Sequence, residues 1–191
     1  MNYLAHMFLS QNTPQSMLGN FLGDFVKGTC QGNFPVDVVM GIQNHRKVDR
    51  FTDANDVVAS SKKLISKSRS RFAGIIIDVA YDHFLSINWN RFSSTSLDES
   101  IQLIYNNLRK HDVRISDAVS LIIEKMINED WLHAYGTMGG IDNTFRRISK
   151  RIKKENNLWS AVEDVEACYS DLNAHFLLFF PQIIDNLRVS Q

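Results

Sequence analysis

Three prolines, at positions 14, 35 and 181, and nine glycines are all that punctuate a chain of 191 residues. Proline and glycine are the residues that end helices and interrupt strands, so their scarcity leaves long unbroken segments. Within those segments apolar residues recur three to four apart, and period-2 alternation is rare. The pattern predicts an all-α fold. The length suits one helical domain spanning 1–191, and no repeat, low-complexity tract or composition shift places a boundary.

The breakers and caps divide the chain into helices. Tyr3 to Ser10 reads as a short, nearly all-apolar helix with one polar group, His6. Thr13-Pro14 starts a second helix, which is expected to run through Phe21 and Phe25 to Val26 with Asp24 inside it. Gly28 to Asn33 is a loop. Pro35 opens a helix through Val38, Ile42 and His45, after which Thr52 or Asp53 caps the next. From Arg71 to Trp89 runs a strongly apolar helix, too long for a strand despite its isoleucines. Helices follow from Leu97 or Asp98 to Lys110, from Ser116 or Asp117 on to Trp131, and from Ile141 to Lys154. Asn157 to Cys168 and Tyr169 to Arg188 complete the chain.

Composition excludes several classes. Hydrophobic residues make up 44% and charged residues 22%, as in an ordinary globular protein. The formal net charge is zero, so any basic surface is local and bulk charge does not point to nucleic acid or membrane. Cys30 and Cys168 form no CxxC pair and read as two reduced thiols. No signal peptide is apparent, and no apolar run approaches the ~18 residues a spanning helix needs. A cytoplasmic protein is expected.

The chemistry concentrates in His45-Arg46-Lys47-Val48-Asp49-Arg50-Phe51-Thr52-Asp53. On a helix, His45, Asp49 and Asp53 share one face, and an imidazole and a carboxylate pointing the same way can share a divalent metal. Arg46 and Arg50 form a second one-turn pair suited to phosphate oxygens. A solvated helix with charges paired at i,i+4 is the plain alternative. A second cluster, Asp78, Asp82 and His83, interrupts the apolar 71–89 helix. Ionised carboxylates there cost several kcal/mol each unless paired or metal-bound. Asp24 and His6 raise the same question in their own apolar helices. The competing reading is a core ion-pair network, with Asp78 or Asp82 meeting Arg46 or Arg50.

Imidazoles and carboxylates without thiolates suit Mn, Fe, Mg or Zn with open positions. A metal of this kind polarises a phosphoryl oxygen and lowers the pKa of bound water. There is no P-loop, GxGxxG, GxSxG or HExxH, and a phosphate-ester hydrolase is the class these residues fit best.

The segments Met1–His6, Gly19–Gly28, Gly41-Ile42 with His45–Asp53, and Asp78–Leu85 resemble the acyl carrier protein phosphodiesterases, and the likeness continues through Trp131-Leu132 into the aromatic C-terminal helix. This family is regarded as a divergent branch of the HD-domain metal phosphohydrolases. The resemblance implies an all-α, HD-like fold and a metal-dependent phosphodiesterase of lipid metabolism. The implied reaction cleaves the phosphodiester of holo-acyl carrier protein, releasing 4′-phosphopantetheine and apo-carrier, with Mn²⁺ first and Mg²⁺ or Fe²⁺ as alternatives. It implies Asp24, His45, Asp78, Asp82 and His83 as metal-binding residues. His6, Arg46, Asp49 and Asp53 would line or support the site. The adjacent pair runs Asp82-His83, the reverse of the His-Asp order of HD proteins. Asp82→Ala is expected to remove activity and leave the fold intact.

Acyl carrier proteins are small and acidic, so their hydrolase needs a local basic surface. The 141–154 helix supplies Arg146, Arg147, Lys150 and Arg151, with Lys153 and Lys154 beyond. Few aromatics interleave with these cations, which disfavours nucleic-acid stacking. Two alternatives keep part of this reading. One is an HD-type hydrolase of a nucleotide or another small phosphodiester. The other is a non-catalytic adaptor that binds an acidic protein or RNA through the basic helix.

Overall fold

Side-chain caps set where the helices begin in the computed structural model, which describes residues 1–29 and 33–189. Asn2 accepts the Tyr3 N–H and opens α1 (Tyr3–Phe8). Thr13 accepts the Ser16 N–H and opens α2 (Pro14–Leu22), with Pro14 in the first turn. Pro35 precedes α3 (Val36–Ala54), and Asn55 caps α4 (Asp56–Leu64). A 3-10 turn (Lys67–Phe72) leads into α5 (Ala73–Ile87). Ser96 and Glu99 form a reciprocal capping box at the start of α6 (Leu97–Arg109). Ser116 caps α7 (Asp117–Asn128), and α8 (Trp131–Ala134) is a single turn. Thr137 caps α9 (Met138–Arg151), followed by α10 (Val162–Ala167) and α11 (Tyr169–Val189). The fold is all-α, with no strand among the described residues.

α5 runs through the middle. Ile76, Ile77, Val79, Ala80, Tyr81, Phe84 and Leu85 have no exposed surface, and α1, α4, α9 and α11 pack around them. A helix apolar nearly all round is stable only when enclosed in this way. α2 and α3 meet at Gly19 and Gly41. A Cβ on Gly19 would lie 2.2 Å from the Val38 carbonyl oxygen and 2.8 Å from Gly41 Cα. This crossing fixes α3, and with it the His45 stretch, against the rest of the molecule.

The boundaries depart from expectation most at four places. α2 stops at Leu22, so Asp24 sits in a turn after the helix rather than inside it. Glycine at 23 weakens the helix there, and the His45 ring takes the space a side chain would fill. Asn55, not Thr52 or Asp53, caps α4; Thr52 lies within α3 and donates to the Val48 carbonyl. α7 ends at Asn128 because Asp130 turns the chain at φ 50°. α9 begins at Met138 and ends at Arg151, before the expected Lys154. Cys168 is a free thiol, whereas Cys30 and the centre of the expected Gly28–Asn33 loop lie outside the described residues. No described helix is long and apolar enough to cross a membrane.

Candidate metal centre

Three elements deliver the central side chains. α3 places His45 and Asp49 one turn apart, with His45 Nε2 3.1 Å from Asp49 Oδ2. α1 brings His6, whose Nε2 lies 3.2 Å from Asp49 Oδ1. The turn after α2 brings Asp24, with Oδ1 3.6 Å from His45 Nε2. The two imidazoles are buried and stacked, their centroids 3.8 Å apart.

Two supports hold this group. Gly23 makes room for His45, since a Cβ at that position would come within 2.2 Å of the imidazole Cγ. Asp82 anchors the helix that bears His6. Its Oδ2 accepts the Leu4 N–H at 2.7 Å and its Oδ1 the Ala5 N–H at 3.2 Å. These are first-turn amides of α1, which have no partner within the helix. Burial pushes the Asp82 carboxyl up to about 7, against the pull of the Met1 ammonium and the two amides.

The donor set suits a metal ion. The ligand atoms of His6, His45 and Asp49 lie within 4.8 Å of one another, and this is the one such group among the described residues. His6 Nδ1 and Nε2 and His45 Nδ1 are buried without a hydrogen-bond partner, although His6 Nε2 lies 3.2 Å from Asp49 Oδ1. Buried polar atoms are seldom left unpaired, so these nitrogens match a missing ligand. Burial lowers the His6 imidazole to about 4, which keeps it in the neutral form that binds metal. Burial works against the charge on Asp49, yet the two imidazoles facing it hold its carboxyl well below the usual range.

The remaining expected residues take different places. Asp78 accepts from the Met1 ammonium at 2.9 Å, and that ammonium is 4.0 Å from Asp49. Asp53 pairs with Lys62 at 3.0 Å and is mostly exposed. Met1, Asp24, Asp49, Thr52, Asp53 and Asp78 line a pocket of about 180 Å³, so both aspartates border the centre. Arg46 does not face this pocket as a phosphate ligand; its Nη2 donates to the Val26 carbonyl at 2.8 Å and ties down the turn that bears Asp24. The Asp82 carboxyl is committed to α1. His83 looks elsewhere, with Nδ1 2.7 Å from the Tyr135 carbonyl and Nε2 2.9 Å from the Tyr169 hydroxyl. The structure therefore brings His6, His45, Asp49 and Asp24 together and leaves Asp82 and His83 outside the group. The competing reading, in which Asp78 or Asp82 pairs with Arg46 or Arg50, finds no such pair among the described residues, since a terminal ammonium and backbone amides compensate those carboxylates instead.

A larger cleft of about 370 Å³ shares Met1, Asp24 and Asp78 with the small pocket and extends to α9. Arg147 and Arg151 line it together with Tyr3, Trp131 and Ile148. The Arg147 guanidinium lies 4.1 Å over the Trp131 ring and donates to Thr144 Oγ1 at 2.9 Å. Burial raises the Tyr3 hydroxyl, with Asp24 adding to the shift and Arg151 opposing it. The sequence reading placed all four α9 cations on a docking face. The structure splits them, with Arg146 paired outward to Asp142 at 2.8 Å and Lys150 exposed. The missed signal was positional: Thr144, Arg147, Ile148 and Arg151 occupy one helical stripe with the core-facing Ile141 and Phe145 beside it.

The family model described as acyl carrier protein phosphodiesterase matches residues 1–183. The chain is 32% identical to the acyl carrier protein phosphodiesterase of Photorhabdus laumondii, over 97% of this chain and 94% of that protein. It is 31% identical to the Yersinia enterocolitica protein of the same name over the full length of both. A third, from Shigella boydii, is 33% identical over 96% of each. No solved structure matches. With most of its length matched by the family model and by full-length relatives, the chain belongs to the acyl carrier protein phosphodiesterase family.

Proposed function

We propose that the protein hydrolyses the phosphodiester of holo-acyl carrier protein, giving apo-carrier and 4′-phosphopantetheine, with a divalent metal held by His6, His45 and Asp49. The observation that carries this reading is that Asp49 of this group lines a small pocket which shares Met1, Asp24 and Asp78 with a cleft lined by Arg147 and Arg151. Family membership supplies the substrate. A hydrolase family also favours chemistry over the adaptor alternative.

The ion would supply Lewis acidity and an activated water. Mn²⁺ suits a mixed imidazole and carboxylate set, with Mg²⁺ and Fe²⁺ as substitutes. Asp24, whose Oδ1 lies 3.6 Å from His45 Nε2, would join the set or orient the attacking water. Asp78 and Asp53 shape the rim. Water adds to phosphorus, the bond from phosphorus to the carrier serine oxygen breaks, and that oxygen leaves with a proton. Arg46 acts at a distance by holding the Asp24 turn. Asp82 and His83 act as supports, through α1 and through Tyr135. Arg146 and Lys150, on the outer face of α9, offer cations to the acidic carrier. An HD-like ancestry and a cytoplasmic location belong to the same reading.

The test is incubation of the purified protein with holo-carrier and Mn²⁺, followed by intact mass, with an EDTA control. Loss of the phosphopantetheine mass only when metal is present is expected. No mass change with any divalent metal would overturn the proposal.

A further inference from the structure

Arg147 contrasts with Arg69 and Arg146, which meet carboxylates. Arg69, also buried, meets Asp164 at 3.0 Å and Glu163 at 2.8 Å. Arg146 meets Asp142. Arg147 is half-buried yet forms no ion pair among the described residues; it contacts an indole face and a threonine hydroxyl. A guanidinium carries five N–H donors, and the Thr144 contact uses one. The Trp131 ring and the Thr144 hydroxyl together restrain the group and leave its other donors for a ligand. Glu129, which accepts from Trp131 Nε1, acts on this cation only at a distance, so a partly desolvated guanidinium with no carboxylate in direct contact is suited to an anion that arrives from outside.

The cleft beside it has a second character. Phe25, Ile75 and Ile148 form an apolar wall, while Asn2 and Tyr3 add polar groups near the acidic end. Its volume of about 370 Å³ falls within the range of about 300–1,000 Å³ usual for small-molecule sites. That space admits a flexible chain of methylenes and amides and excludes a folded protein. We infer that this cleft is the subsite for the phosphopantetheine arm, with Arg147 holding the phosphoryl oxygens and the Phe25–Ile75–Ile148 wall flanking the arm. The inference rests on the hydrolase reading for its substrate. It assigns phosphate recognition to α9, where the sequence had suggested Arg46 and Arg50. It also separates two functions of one helix: Arg147 grips the small molecule, and Arg146 and Lys150 face the carrier.

Calorimetry on the Mn²⁺-supplemented protein tests this with three probes: 4′-phosphopantetheine, pantetheine without phosphate, and inorganic phosphate. The wild-type protein is expected to bind 4′-phosphopantetheine at least about tenfold more tightly than either fragment. Arg147→Gln should weaken 4′-phosphopantetheine and phosphate by about tenfold or more and leave pantetheine unchanged. Arg147→Lys keeps the charge without the planar fork and should recover only part of that loss. Ile148→Asp should show the reverse pattern, losing pantetheine and keeping phosphate. Wild-type affinity for 4′-phosphopantetheine in both Arg147 variants would overturn the inference, as would binding no tighter than that of phosphate alone. The mass assay on holo-carrier separates the two ideas. Turnover by the wild type with unaltered binding in Arg147→Gln removes the subsite alone. Arg147-dependent binding without turnover of holo-carrier removes the hydrolase reading and leaves the subsite standing.

Discussion

His6 and His45 lie face to face, their ring centroids 3.8 Å apart and their planes within 11° of parallel. Two imidazolium ions would repel strongly at that separation. The pair is therefore built for neutral rings, and protons compete with a metal ion for the same nitrogens.

Loss of either ring should cost metal affinity. His6→Ala and His45→Ala are each expected to weaken Mn²⁺ binding by at least about 100-fold, the upper end of what removal of a supporting residue costs. His83→Ala should lower thermal stability and leave Mn²⁺ binding intact, because His83 contacts Tyr135 and Tyr169 instead. Titration calorimetry with Mn²⁺ on the three variants checks both. Equal affinity in His6→Ala and wild type would remove His6 from the centre.

The two interhelical glycines should separate fold from site. Gly23→Ala pushes a methyl group into His45, so a large drop in Mn²⁺ affinity is expected, with a stability loss of about 1–3 kcal/mol. Gly19→Ala presses on the Val38 carbonyl and Gly41 at the crossing of α2 and α3. It should destabilise by a similar or larger amount. Urea denaturation alongside metal titration reads the two effects; full metal affinity in Gly23→Ala would show that His45 does not need that space.

In the metal-free protein, Asp82 and His6 pull stability in opposite directions over overlapping pH ranges. Burial raises the Asp82 carboxyl from 3.8 to about 7, so the folded protein keeps a proton that the unfolded chain has lost. That contribution is complete below the unfolded value and is lost as pH rises through the folded one. Burial lowers the His6 imidazole from 6.5 to about 4, so the unfolded chain takes up a proton that the folded protein refuses. That contribution grows as pH rises across the interval. Each is worth on the order of 3–4 kcal/mol, and the two largely cancel in the wild type. Asp82→Asn should therefore show stability climbing steeply between about pH 4 and 6.5, and His6→Asn should show it falling. Denaturation midpoints in EDTA at the two ends of the interval decide this; parallel profiles for all three proteins would refute it.

The outer face of α9 should govern encounter rather than chemistry. Lys150→Glu is expected to raise KM for holo-carrier on the order of fivefold, with little change in kcat. The wild-type KM should rise with ionic strength and the variant KM should be less sensitive. Steady-state kinetics at two salt concentrations provide the test, and a salt-independent wild-type KM would argue against electrostatic docking.

Local patterns carried over from sequence to structure; contacts between helices did not. Thr13-Pro14 and Ser116 mark helix starts because a cap acts on the next few residues. His45 and Asp49 were legible as a pair because one helix turn joins them. By spacing alone His6 was legible as an oddity in an apolar helix, and the family resemblance set it beside the site; the docking of α1 on α5 decides what it meets. Asp82 and His83 looked like one cluster because they are adjacent. Neighbouring residues on a helix point about 100° apart, and here one faces α1 while the other faces Tyr135 and Tyr169. That geometry also revises the expected effect of Asp82→Ala. Two buried amides would lose their acceptor, so the variant should be destabilised rather than merely inactive.

The anchoring of α1 by a single carboxylate has a thermodynamic corollary. A helix of six residues does not persist by itself in water. His6 is therefore available as a ligand only while α1 is docked, and ion binding and the local folding of this segment become one linked equilibrium. An ion that selects the docked state stabilises it in proportion to its own saturation. Amide hydrogens of Leu4 to Phe8 should exchange more slowly with deuterium as Mn²⁺ is added, while those of α5 stay as protected as before. The first turn of the chain would then serve as a latch that the cofactor itself closes.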